Sequence, residues 1–175
     1  MSSGPRYRVG FRRRREGKTD FRYRLRLLNS GKPRAVVRLS RAHVLVSITE
    51  YDPVGDRVRA CADSRELPSM GFPSRSLGST PAAYLTGYLA GIRAKRAGTE
   101  VAVLDAGLRH PSKGGRLLSA LKGLLDSGLV IPHGEGAFPT QDRLSGSHLS
   151  TPLPSPLETY RGKLSELAKG TTEEP

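Results

Sequence analysis

Residues 34–63 read RAVVRLSRAHVLVSITEYDPVGDRVRACAD, and the fold class follows from their period. Apolar residues that alternate with polar ones mark strands with one buried face. Ala35, Val37 and Leu39 share a face of a first strand, Arg34–Leu39, and Val44, Val46 and Ile48 share a face of a second over 43–51. A third run, Arg57–Asp63, follows the turn signal Asp52-Pro53-Val54-Gly55-Asp56. Breaks this short join antiparallel neighbours, so the stretch predicts a three-strand meander.

Downstream, residues 64–79 are rich in Ser, Gly and Pro and read as a loop. Thr80-Pro81 then predicts an N-cap with proline at the first helical position. That helix should end near Gly98, with Tyr84, Tyr88 and Ile92 along one face; Gly87 and Gly91 cost helix propensity, which implies close packing there. The apolar run 101–104 reads as a central strand covered on both faces, ending at Asp105 and parallel to the first strand. The loop 106–115 leads into a helix carrying Leu117, Leu118, Leu121, Leu124 and Leu125, stopped by Gly128 before a short strand at 129–131.

Upstream of the meander, Thr19 reads as an N-cap and Asp20 as a first-turn acid of a helix reaching Leu28. Phe21, Leu25 and Leu28 would dock it, with Lys18, Arg22 and Arg26 outward. The order of elements predicts an α/β fold: a mixed sheet, an antiparallel three-strand meander plus a parallel strand, with helices, of the ribonuclease-H-like kind, preceded by a basic N-terminal arm. The organisation expected is a basic arm over 1–18, a globular α/β domain over 19–149, and a Pro-rich linker with a C-terminal helix over 150–175. Leu157, Tyr160, Leu164 and Leu167 would form that helix's apolar stripe, and 171–175 should fray.

The 175 residues hold 29 Lys and Arg against 16 Asp and Glu, a net charge of +13. Fourteen of the cations and only two of the acids lie in the first 41 residues, a net of +12, which leaves +1 for the other 134. Charge so concentrated calls for a polyanion. One cysteine excludes a disulfide framework and a Cys-based zinc finger, and favours an intracellular site. No run reaches 18 apolar residues and 1–15 has no apolar core, so neither a membrane span nor secretion is expected.

Aromatics interleave with the cations: Tyr7, Phe11, Phe21 and Tyr23 lie among Arg6, Arg8, Arg12, Arg13, Arg14, Arg15, Lys18 and Arg22. Guanidinium groups pair with phosphates, and rings stack on unpaired bases, which suits structured RNA. A lipid anchor would instead show a continuous apolar helical face, and a tail that merely aids solubility or import has no need of spaced aromatics. At Ser112-Lys113-Gly114-Gly115-Arg116, backbone N–H groups with Lys113 and Arg116 suit a phosphate at a helix start; the competing reading is a loop with incidental charges.

An enzyme needs a constellation. Asp105, with Asp63 and Asp52 or Asp56, are the carboxylates available for a metal-dependent nuclease, which needs three or four converging acids. Asp52 and Asp56 bracket a turn, where Asp is favoured on conformational grounds. His110 and His133 adjoin prolines in loops without partners at metal-ligand spacing, and Cys61 between Ala60 and Ala62 reads as a small buried residue. No catalytic residue, metal ligand or cofactor is assigned.

Several segments in order carry a resemblance: Phe11-Arg12-Arg13-Arg14-Arg15-Glu16-Gly17-Lys18-Thr19-Asp20, Ser79-Thr80-Pro81-Ala82-Ala83-Tyr84-Leu85-Thr86-Gly87, and Leu104-Asp105-Ala106-Gly107-Leu108. Ala120-Leu121-Lys122-Gly123-Leu124-Leu125-Asp126-Ser127-Gly128-Leu129 and Ile131-Pro132-His133 extend it. Together they resemble the archaeal and eukaryotic type of the large-subunit ribosomal protein that binds 5S ribosomal RNA. The resemblance covers about 7–148 and implies a non-catalytic protein of the central protuberance. It would join 5S rRNA to the large-subunit rRNA beside neighbouring ribosomal proteins, without a membrane. It also implies RNA contacts on the basic arm and on the loop before the leucine-rich helix, at Arg109, Lys113, Gly114 and Arg116.

Overall fold

The computed structural model describes residues 4–134, 136, 138–147, 149 and 156–170, with backbone alone for 167–170. The meander forms as read: β1 (Arg34–Leu39), β2 (Val44–Glu50) and β3 (Arg57–Asp63) pair antiparallel in sequence order. A fourth strand, β4 (Val103–Asp105), pairs parallel with β1, and the sheet order is β3-β2-β1-β4. Register places Ala35, Ile48 and Ala60 in one row and Val37, Val46 and Ala62 in the next, all buried. Burying that face supplies the main gain that specifies register, since a slip of one residue would turn every one of these side chains to the other side.

β4 differs from its expectation. It is three residues long, begins at Val103, and makes a full ladder only with β1; the 129–131 strand is reduced to a single parallel bridge, Val101 to Val130. Pro132 has no N–H to donate, so the ladder cannot continue past Ile131.

Two long helices cover the apolar face. α3 (Thr80–Arg96) is capped by Ser79, whose hydroxyl accepts from the Ala82 amide at 3.4 Å, so Pro81 is the second helical residue and the cap precedes the expected Thr80 by one. α4 (Arg116–Asp126) buries Leu117, Leu118, Leu121 and Leu124. The helices meet at glycines, as the sequence implied. A Cβ on Gly87 would overlap the Ala120 carbonyl, and one on Gly123 would overlap the Tyr84 carbonyl and lie 2.7 Å from the Tyr88 amide. Backbone cannot yield as a side chain can, so Gly123→Ala is expected to destabilise the chain by about 1–3 kcal/mol, and calorimetry checks it; an unchanged transition would mean that the helices separate freely.

The segment after β3 is not an open loop. Ser64–Met70 forms a 3-10 helix capped by Asp63, whose own amide donates back to the Glu66 carboxylate at 2.8 Å. The C-terminal helix α6 (Leu157–Gly170) joins the same core: Leu157, Tyr160 and Leu164 are buried, and the Tyr160 ring meets Phe72 edge-on at 5.6 Å. The linker expected at 150–156 lies, except for Pro156, outside the described residues, as do the Leu167 side chain and 171–175. A short helix, α5 (Gln141–Ser145), was not anticipated.

Candidate nucleic-acid interface

The other face of the sheet carries charge. Arg34 and Arg38 alternate with the apolar residues of β1, and register sets Asp105 of β4 opposite Val36, between them. Asp105 accepts from Arg34 at 2.7 Å and Arg38 at 3.3 Å, and from the Gly107 amide at 2.9 Å. Arg34 is buried and also pairs with Asp56, which in turn takes Arg24 at 2.8 Å. Buried charges persist only when paired and hydrogen-bonded. Asp105 and Asp56 are therefore committed to arginines, Asp63 to its cap and Asp52 to Arg57 at 2.8 Å.

A helix of residues Phe21–Leu28 lies over this network; with the turn Arg12–Arg15 before it, these are α2 and α1. Asp20, not Thr19, caps α2, accepting from the Tyr23 amide at 3.0 Å. The docking face also differs from the expected one. Phe21 and Leu25 are exposed, while Leu27 is buried, the Tyr23 hydroxyl donates to the Leu104 carbonyl at 3.2 Å, and Arg24 reaches Asp56. Apolar residues occupy both sides of this short helix, and polar partners waiting on the sheet decide which side turns in.

Residues 4–18 are exposed throughout. α1 is a single turn of Arg12, Arg13, Arg14 and Arg15 with no buried residue. Arg12 and Lys18 flank Glu16 at 2.8 and 2.7 Å; side-chain hydrogen bonds from Lys18, then Arg12, hold that carboxyl below its ordinary range. Arg13 donates to the Thr19 hydroxyl at 2.6 Å, and Arg14 lies over the Phe21 ring at 5.4 Å. Arg6, Tyr7, Arg8, Phe11, Arg15 and Arg22 are exposed as well.

The second predicted element divides. Arg109 and Lys113 are exposed, and Gly114 takes a left-handed φ of 64° in the turn before α4. Arg116 is half-buried, and one terminal nitrogen of its guanidinium, Nη1, donates to the Ser40 and Gly78 carbonyls at 3.0 and 2.9 Å, which ties the start of α4 to the β1–β2 turn. A cleft of about 250 Å³ brings Arg13 and Lys18 together with Arg109, and adds Arg38, which the sequence reading had placed only in a strand. Its signal was present in the two arginines on the polar face of β1. Lys113 and Gly114 lie outside that cleft.

No arrangement of acids or nucleophiles among the described residues competes with this basic surface. Among the described residues no group of three or more His, Cys, Asp and Glu converges, and no helix is long and apolar enough to cross a membrane. Cys61 is exposed on β3 rather than buried, because Ala60 and Ala62 take the inward positions; partial desolvation, then the Glu66 carboxylate, raise its thiol above the ordinary value. His133 is held through Nδ1 to the Ile131 carbonyl at 2.8 Å.

Comparison with known proteins agrees with a ribonucleoprotein surface. A family described as "Ribosomal large subunit proteins 60S L5, and 50S L18" matches residues 5–99, from the arginine-rich start through α3. Over 149 residues the chain is 47% identical to the large ribosomal subunit protein uL18 of Methanothermobacter thermautotrophicus, covering 85% of this chain and 77% of that protein.

Proposed function

Since the chain belongs to the family of large-subunit ribosomal proteins L5 and L18, we propose that it binds 5S rRNA and helps attach it to the large-subunit rRNA in the central protuberance. Membership makes it a structural constituent of the large subunit, part of the cytoplasmic ribosome, and the family is not an enzyme family. The finer reading rests on one observation above all: four consecutive arginines in one exposed turn, preceded by the exposed rings of Tyr7 and Phe11. Such a segment can neutralise phosphates and stack on unpaired bases at once.

The RNA-contacting residues in this reading are Arg6, Tyr7, Arg8, Phe11, Arg12, Arg13, Arg14, Arg15, Lys18 and Arg22, with Arg109, Lys113, Gly114 and Arg116 from the turn before α4. Arg116 also holds that turn, through the Nη1 that serves two carbonyls, and its Nε and Nη2 donors face the RNA in this reading. Neighbouring large-subunit proteins would contact the near-neutral body.

Counterion release makes the reading measurable. If about six to ten phosphates are neutralised, log K for 5S rRNA falls against log salt with a slope of roughly −4 to −7, using the single-strand coefficient. Filter binding across a salt series checks it, with an unrelated RNA as competitor. A slope near zero removes the electrostatic arm from the mechanism. Equal affinity for both RNAs makes the protein a nonspecific basic chaperone instead.

A further inference from the structure

We propose that the cleft between the basic arm and the C-terminal end of the β1–β4 pair holds one unpaired nucleotide of the bound RNA, clamping the arm to the body. This rests on the RNA-binding reading above and goes further, because it names a nucleotide-sized subsite that uses the sheet as well as the arm.

The place is set by topology. β1 and β4 are the parallel pair, and side chains beyond the carboxyl ends of parallel strands are where open α/β sheets receive ligands. Five cations line the cleft, Arg13 and Lys18 from the arm, Arg24 from α2, Arg38 from β1 and Arg109 from the loop after β4, against the two carboxylates Asp20 and Asp105. Arg38 is fixed by Asp105 and by the Val37 and Asp105 carbonyls, both at 3.1 Å, so it presents its charge from a rigid strand. Arg13 bonds to the neutral Thr19 hydroxyl, which leaves its charge uncompensated by that partner. Arg109 is exposed.

The walls are not only charged. Leu39, Leu108 and Tyr23 line the same cleft, and Leu108 is exposed. Apolar residues beside cations suit a base next to its phosphate, whereas a bare phosphate site has no use for them. At about 250 Å³ the cleft is slightly smaller than the roughly 300–1,000 Å³ of drug-sized pockets. A volume of that size is on the scale of a single nucleotide rather than a duplex.

The experiment uses the full chain and 5S rRNA transcribed from its own genome. Arg109→Gln removes a rim cation and is expected to weaken binding about tenfold, the effect of one charge-assisted contact. Thr19→Trp puts a large ring among the lining residues and should weaken it at least as much, both with unchanged circular dichroism. A photo-crosslinking benzoylphenylalanine in place of Leu108 should label one unpaired nucleotide. Wild-type affinity in Arg109→Gln, or labels spread over duplex positions, overturns the clamp while leaving RNA binding intact; failure of the unaltered chain to bind 5S rRNA overturns the underlying reading instead.

Discussion

Removing residues 1–18 is expected to lower affinity for 5S rRNA by about three orders of magnitude while leaving the thermal transition within roughly 4 °C of the full chain. The two halves of that expectation have separate causes. The deleted segment carries Arg6, Arg8, Arg12, Arg13, Arg14, Arg15 and Lys18 against Glu16 alone, so +6, half of the concentrated charge, leaves with it. Stability is barely touched because α1 buries nothing. Its described side-chain links to the residues beyond are the Arg13–Thr19 hydrogen bond and the Arg14–Phe21 cation–π contact, and exposed interactions of this kind contribute about 0–1 kcal/mol each. Filter binding and calorimetry on the same preparation test both. Undiminished affinity would move the RNA interface onto the body, and a collapsed transition would make the arm part of the fold.

Asp105→Ala has the opposite signature: a fall in stability of about 3–5 kcal/mol, or roughly 6–20 °C in Tm. The carboxylate is buried and receives Arg34, Arg38 and the Gly107 amide. Without it Arg34, itself buried and with its Nε unpartnered, retains only the half-shared Asp56. Breaking a buried pair costs more than forming it contributes, because one charge is left behind in a low-dielectric site. The loss should also loosen α2, since Arg24 and Arg34 compete for Asp56 and Tyr23 is anchored to Leu104 beside Asp105. A Tm within about 2 °C of the unaltered protein would show that Asp56 suffices. Asp105→Asn tests the charge alone, and magnesium- or manganese-dependent RNA cleavage lost with it would revive the nuclease reading.

Much of the architecture was legible because it obeys local periods. β1 and β3 begin and end where the alternation does, and Gly87 and Gly91 marked the α3–α4 contact by their cost to the helix. Helix starts were legible to within a residue: Ser79 and Asp20 cap where Thr80 and Thr19 were expected, since several adjacent polar residues can each accept the amide and backbone geometry selects one. The arm was legible as a run of charge. The cleft was not, because Arg13, Arg38 and Arg109 are brought together only by folding.

What the sequence determined by itself is therefore the main strands and long helices, their order, and the confinement of +12 of the net charge to the first 41 residues. These depend on neighbours along the chain. Only the tertiary structure decided which side of α2 turns inward, that Asp105 serves as a buried counter-ion, and that Arg116 braces a loop while Arg38 joins the basic surface. The reason is physical: a charged side chain's role depends on which opposite charge and which carbonyl lie within about 3 Å, and at 71 or 76 residues' separation only the fold supplies that distance.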